Sequence, residues 1–202
     1  MNALSTKLIA AAFAAGALLA GEATGEAAAG TLDQIKQDKA ICIAFREDAP
    51  PFSFKAANNQ PADFIVDLCQ AVVTSLARQL NLPGLAVTYV PVTSLDRFDA
   101  ITNQKADLLC EATSAALSRR AIVDFSIATF VDGASFVIRA DGPQDFKQFA
   151  GKKIGVLAGT TTEEELRRAL AAIGVTADIV LAKSHTEGLA SLEKSAMRSS
   201  LS

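Results

Sequence analysis
The pattern of this sequence predicts an α/β fold with a largely parallel sheet, on two observations. Runs of strand character, Ile41 to Phe45, Leu85 to Val92 and Asp107 to Cys110, are separated by stretches of helical periodicity. The same alternation resumes after residue 134, so a second unit of the same kind is expected.

Taken in order, Thr31 is placed to cap a short helix through Leu32, Ile35 and Lys36. Ile41 to Phe45 is a continuous apolar run and is expected to be a buried strand. Pro50-Pro51 then forces an extended turn, because each proline fixes its own φ and restricts the residue before it. Cys69, Val72, Val73, Leu76 and Leu80 fall at helical spacing and form a core-facing stripe, and the helix ends before Pro83-Gly84. Leu85 to Val92 alternates and branches as a strand does; Phe98 and Ile101 mark a helix, and Asp107 to Cys110 a further strand. In the second unit, Ala134 to Arg139 is an extended apolar stretch, Phe146 to Ala150 a short helix and Ile154 to Leu157 a strand. Gly159 and three threonines lead into a helix over Glu163 to Ala172, and Ile179 to Ala182 is the last strand. Leu189 to Glu193 has helical character, whereas Lys194 to Ser202 is small, polar and without pattern.

The 202 residues are half hydrophobic and carry a net charge of -3, a balance that argues against a nucleic-acid partner, which usually shows as a basic patch. One His and no Trp leave no basis for a multi-histidine metal site or aromatic stacking, and no metal or cofactor is expected. Lys7, the Ala- and Leu-rich run Leu8 to Ala20, and the small residues through Ala29 form the n-region, h-region and cleavage zone of a secretory signal peptide. Residues 1–29 are therefore expected to be removed on export. No Cys follows the apolar run, so a lipid-anchored terminus is not expected. An exported protein can hold disulfides. Cys69 and Cys110 are the favoured pair among the three cysteines, since both adjoin core elements of one unit; three buried thiols acting as small hydrophobes are the open alternative.

Several segments place polar groups at helix starts. Thr93-Ser94-Leu95-Asp96-Arg97 puts an arginine in a first turn, where a bound anion would offset the unfavourable helix dipole. Pairing of Arg97 with Asp96, Asp99 or another carboxylate is the structural alternative. Thr113-Ser114 followed by Arg119 repeats the arrangement, and an arginine fork can hold both oxygens of a carboxylate. Gly159-Thr160-Thr161-Thr162 before three glutamates is good capping chemistry in its own right. It is not a P-loop, because Phe146 stands where Gly151-Lys152 would need an upstream glycine. His185 alone assigns nothing, and no Ser/His/Asp order, paired-carboxylate site or HExxH suggests an enzyme.

Seven stretches together resemble the periplasmic amino-acid-binding proteins of ABC transporters (solute-binding protein family 3), near their glutamate/aspartate-binding branch. They are FREDAPPFSF (45–54), VDLCQAV (66–72), PVTSLDRFDAI (91–101), ADLLCEATSAALSRRAIVDFS (106–126), TFVDG (129–133), GKKIGVLAGTTTEEEL (151–166) and AKSHTEGLASLE (182–193). The resemblance implies the two-lobe type II fold, with lobe 1 over residues 30–131, a partial lobe 2 over 132–202, and hinge closure on a ligand between them. It implies that Arg119 and Ser114 hold the ligand's α-carboxylate and that Thr160, Thr161 and Thr162 close over it. Arg46, Ser94, Arg97 and His185 match positions that this branch uses, several around the side-chain carboxylate, and Phe52 matches an aromatic near the cleft. The implied partners are an acidic amino acid and an inner-membrane permease; the implied state is a periplasmic monomer.

The sequence departs from the family at three places. Ala112 replaces a polar serine of the acidic-ligand branch, and Glu111 brings a negative charge where glycine is common. Residues 194–202 match nothing in the family, which continues with a strand carrying an aspartate for the ligand's ammonium; the expectation is an aberrant end that leaves lobe 2 incomplete. Two other readings stay open: an enzyme of dehydratase type on the same scaffold, with Glu111 or His185 as general acid or base, and a truncated remnant that binds little.

Overall fold
A computed structural model describes residues 30–199, with side chains through residue 194. The expected signal segment, residues 1–29, lies outside the described residues.

The first unit is organised by β1 (Ala40–Arg46), whose burial on nearly every residue makes it the centre of a sheet. It pairs in parallel with β5 (Ala86–Val92) on one side and β6 (Leu108–Cys110) on the other. Helices α1 (Thr31–Asp38) and α2 (Phe64–Gln79) pack against this sheet. Ile35 of α1 and Cys69 and Val73 of α2 bury against Ile41, Ile43 and Cys110. Two members of the anticipated stripe, Leu76 and Leu80, pack at the margin of this core, but Val72 is 52% exposed. Three positions from Cys69 and one from Val73, Val72 sits just off the buried arc, which on a surface helix is only about 100° wide. Thr31 is the first helical residue, not the cap; Gly30 holds the N-cap position without any side-chain bond. Cys69 and Cys110 form a disulfide, fastening α2 to the end of β6, and Cys42 is free.

Between β1 and α2, the cis Pro50–Pro51 bond sits within a small antiparallel sheet of β2 (Asp48–Ala49), β3 (Ser53–Lys55) and β4 (Pro61–Ala62). Strands of two or three residues leave too little alternation to be read from sequence. After β5 come α3 (Arg97–Thr102) and, beyond β6, the single turn α4 (Leu117–Arg120).

The chain then changes allegiance. Phe130 packs edge-on against Phe52 and Phe64 of the first unit, whereas Phe136 packs against Phe146 and Phe149 of the second. Residues 134–139 carry no strand pairing. A 3₁₀ turn at Phe146–Phe149 precedes β7 (Lys153–Leu157), which pairs in parallel with β8 (Asp178–Ala182) across α5 (Thr161–Ala172). Ile154, Val156, Leu166, Leu170 and Phe149 form a separate core. The last helix, α6, runs His185–Ser199, longer at both ends than the Leu189 to Glu193 pattern suggested. Ala196, Met197 and Arg198 are strong helix formers, so the stretch without apolar period still propagates the helix.

Candidate functional site
The parallel sheet of the first unit ends in loops that face the β7–α5 turn of the second. This is where open α/β sheets form clefts, outside the carboxyl ends of their strands. Three arginines are buried there, Arg46 at the end of β1, Arg97 at the start of α3 and Arg119 in α4. Burying a guanidinium is costly unless its donors are met, so their partners define the site.

Arg46 is held by Asp48 two residues on, through Nε at 2.9 Å and a further contact from Nη2 to the same oxygen. On an extended strand, residues i and i+2 share a face, which brings the two together. The backbone of Arg46 is in turn anchored by the buried Ser53 hydroxyl, which accepts from its N–H and donates to its carbonyl.

Each of the three Arg97 nitrogens faces an oxygen. Nε lies 3.2 Å from Glu111 Oε1, Nη1 donates to the Ser94 carbonyl, and Nη2 donates to the Gly159 carbonyl at 3.0 Å. Of the alternatives open for Arg97, pairing with a carboxylate is realised, and Glu111 is the partner. The pair is at ion-pair distance but misaligned for a hydrogen bond. Arg97 Nε, Glu111 Oε1, Ser94 Oγ and Thr113 Oγ1 are all buried without a hydrogen-bond partner among the described residues. Burial drives the Glu111 carboxyl above its ordinary value, against the opposing pull of Arg97 and, less strongly, Arg46 and Arg119. Burial likewise lowers Arg97.

Arg119 differs from the other two. Its Nη1 donates to the Ser114 carbonyl at 3.1 Å and its Nη2 to the Gly159 carbonyl at 3.3 Å. Among the described residues, no carboxylate lies within ion-pair distance of it. The Phe98 ring lies under both the Arg97 and Arg119 guanidiniums, at 4.8 and 5.4 Å.

From the second unit, the turn at Gly159 therefore supplies one carbonyl to two arginines of the first. Thr160 caps α5, accepting from the Glu163 N–H at 3.2 Å and donating to the Leu157 carbonyl. Thr161 Oγ1 donates to Ser114 Oγ at 3.1 Å, a third bond across the cleft. At the far side, the His185 N–H donates to Asp48 Oδ2 at 3.2 Å and its Nδ1 lies 3.1 Å from the Asp48 carbonyl oxygen.

Of the residues singled out from sequence, Arg46, Ser94, Arg97, Ser114, Arg119, Thr161 and His185 thus converge along one cleft. Thr160 supports the turn from behind. Phe52 contacts Phe130 instead of the arginines. Thr162 is exposed and, with Thr160 and His185, lines an apolar cavity of about 880 Å³ beside Phe136, Val156 and Leu166. The lining of that cavity is mostly apolar, with Arg139, Lys152, Lys153 and Glu165 among it, whereas the three buried arginines gather in the polar cleft. Asp48 and the Gly159 carbonyl were not singled out. Asp48 had a signal, its i+2 spacing from Arg46; a backbone carbonyl has none.

Comparison with known proteins bears on this arrangement. The family model of the bacterial extracellular solute-binding proteins, family 3, matches residues 41–198. The L-glutamate/L-aspartate-binding protein of Pseudomonas aeruginosa is 32% identical over 192 residues, covering 94% of this chain and 62% of the relative. A glutamate/glutamine/aspartate/asparagine-binding protein of Rhodobacter capsulatus is 31% identical, covering 77% of this chain and 46% of its own length. The chain thus spans less than two thirds of the length of either relative. Among solved structures, the ancestral amino-acid-binding protein AncCDT-1, a precursor of cyclohexadienyl dehydratase, superposes with a TM-score of 0.69 at 26% identity. That match covers 82% of this chain and 71% of the other.

Proposed function
Because the chain belongs to family 3 of the bacterial extracellular solute-binding proteins, we propose that it captures an acidic amino acid in the periplasm and delivers it to an inner-membrane ABC permease. The observation that carries this reading is the state of Arg119, a buried guanidinium whose donors rest on two carbonyls and, among the described residues, on no carboxylate. A ligand α-carboxylate is the partner such a fork accepts, with shorter and stronger bonds than a neutral carbonyl makes. Ser114 and Thr161 flank it, and the Thr160 to Thr162 turn closes over it.

Arg46, Ser94, Arg97 and His185 surround the side-chain end, with Phe52 as a nearby apolar wall. Charge supports an acidic ligand: the three buried guanidiniums outnumber the two carboxylates beside them, Asp48 and Glu111. The relatives' names point to the same ligand class. Residues 30–131 and 132–202 act as the two lobes that close on the ligand, in a monomer released after loss of residues 1–29.

A calorimetric titration of the purified protein with glutamate, aspartate, glutamine and an apolar amino acid tests this. Saturable heat with an acidic amino acid is expected. Arg119→Ala leaves the ligand carboxylate buried and unpaired, which costs about 2–5 kcal/mol, or roughly thirty- to several-thousandfold in affinity. Unchanged affinity in Arg119→Ala would sink the assignment of the α-carboxylate site.

A further inference from the structure
The Glu111 carboxylate is not explained by the reading above. It stands beside Arg97 at the side-chain end of the cleft, nearly fully buried, with Oε1 lacking a hydrogen-bond partner among the described residues. Ser94 Oγ, Thr113 Oγ1 and Arg97 Nε share that condition. Buried polar atoms are nearly always satisfied, and each exception in a native structure calls for an explanation. Four exceptions in the loops after β5 and β6 form one coherent set, in which two hydroxyls and a guanidinium edge can donate and a carboxylate can accept. A ligand group that reaches this set would give its donors and its acceptor the partners they lack.

Resting on the amino-acid-binding reading, we infer that Glu111 is a specificity-determining residue that sorts amide from acidic side chains at the Arg97 end of the cleft. As a carboxylate, Glu111 accepts a hydrogen bond from the N–H₂ of a ligand amide while Arg97 donates to the amide oxygen. As a carboxylic acid, it donates its own proton to a ligand carboxylate that Arg97 also holds. An amide therefore binds without proton exchange. A second carboxylate placed on Arg97 would meet Glu111 as a like charge, so its binding draws one proton from solution onto Glu111. Proton and charge balance in both cases.

The surroundings fit this behaviour. The charged groups acting on Glu111 are Arg97 from α3, Arg46 from β1, Arg119 from α4 and Asp48 from β2. The arginines pull the Glu111 carboxyl down, but burial is the larger influence and raises it, and an arriving carboxylate pushes the same way, toward the protonated form. Arg97 can turn toward the ligand because its Nη2 is held only by a neutral carbonyl, that of Gly159. His185, from the second unit, makes its contacts with Asp48.

Glutamate and glutamine, titrated calorimetrically into the purified protein at about pH 5.5 and about pH 8 in buffers of different ionisation enthalpy, test the proposal. Glutamate is expected to bind with uptake of about one proton, and its affinity relative to glutamine to fall by about tenfold or more between those pH values, as one lost charge-assisted bond implies. Glu111→Gln should abolish the proton uptake and flatten the ratio; Glu111→Gly is the second variant should Gln disturb the fold. Equal proton uptake for both ligands, or a pH-dependent ratio that survives in both variants, overturns the role of Glu111 and leaves the amino-acid-binding reading intact. Absence of binding by either ligand, with Arg119→Ala no different from the parent, overturns both.

Discussion
At the scale of single residues, Gly159 shows how the cleft depends on a backbone atom. Its φ is +70°, and an added Cβ would stand 2.9 Å from Leu95 Cδ2 and 3.1 Å from the Ser94 carbonyl. Only glycine lets the second unit come close enough for one carbonyl to meet Arg97 and Arg119. Gly159→Ala is expected to lower stability by about 1–2 kcal/mol from the left-handed conformation alone. It should also weaken amino-acid binding by moving that carbonyl; urea unfolding and a parallel titration would register the two effects, and a variant with parental values in both would contradict the contact. Glu111 makes a second prediction at this scale. A carboxyl whose folded value is raised above the ordinary 4.5 binds more protons folded than unfolded across the range between the two values. Stability then declines as pH rises from about 4.5 through the raised value and levels off beyond it. Urea midpoints measured over that range should lose this decline in Glu111→Gln. Residues of the candidate site could be named one by one because the arginines, hydroxyls and His185 stand in matching segments. What those residues touch was not, since the Arg97–Glu111 pairing depends on how α3 and the loop after β6 are brought together by strands on opposite sides of β1.

Elements carry the next level of constraint. The Cys69–Cys110 bridge closes a sequence separation of 41 and joins α2 to the strand whose following loop holds Glu111 and Ser114. By loop-closure entropy such a bridge is worth about 4 kcal/mol. Reduction should therefore lower the urea midpoint and loosen ligand binding together; unchanged stability after verified reduction would show the bridge to be energetically idle. The regular elements of the α/β pattern could be read from sequence where apolar periodicity is strong, as in β1, α2, β5, β7 and α5. Reading failed where length or packing decides. The β2–β3–β4 sheet is too short to show a period, and Val72 belongs to a helical stripe yet faces away from the core. Thr31 looked like a cap, but the cap position falls one residue earlier at Gly30, leaving Thr31 as the first residue of the helix. Thr160, by contrast, does cap α5, because its hydroxyl is aligned on the Glu163 N–H by the extended backbone before the helix.

On the scale of the whole molecule, the two units touch through a small number of polar bonds at one cleft. Arg97 and Arg119 reach the Gly159 carbonyl, Ser114 reaches Thr161, and Asp48 reaches the His185 backbone. Among the described residues their hydrophobic cores are separate. Interfaces of this kind let domains move relative to one another by default. The bonds to Gly159 are also the ones a ligand carboxylate would compete for, since both arginines offer the same Nη2 edges. Removing both guanidiniums should thus release the second unit without unfolding either core. In Arg97→Ala combined with Arg119→Ala, small-angle scattering is expected to show a larger radius of gyration than in the parent, with each core's far-ultraviolet circular dichroism preserved. Adding an amino acid should then no longer compact the protein, whereas it should keep the parent compact. A double variant as compact as the parent would mean that other contacts hold the units together, and that the arginines serve the ligand alone.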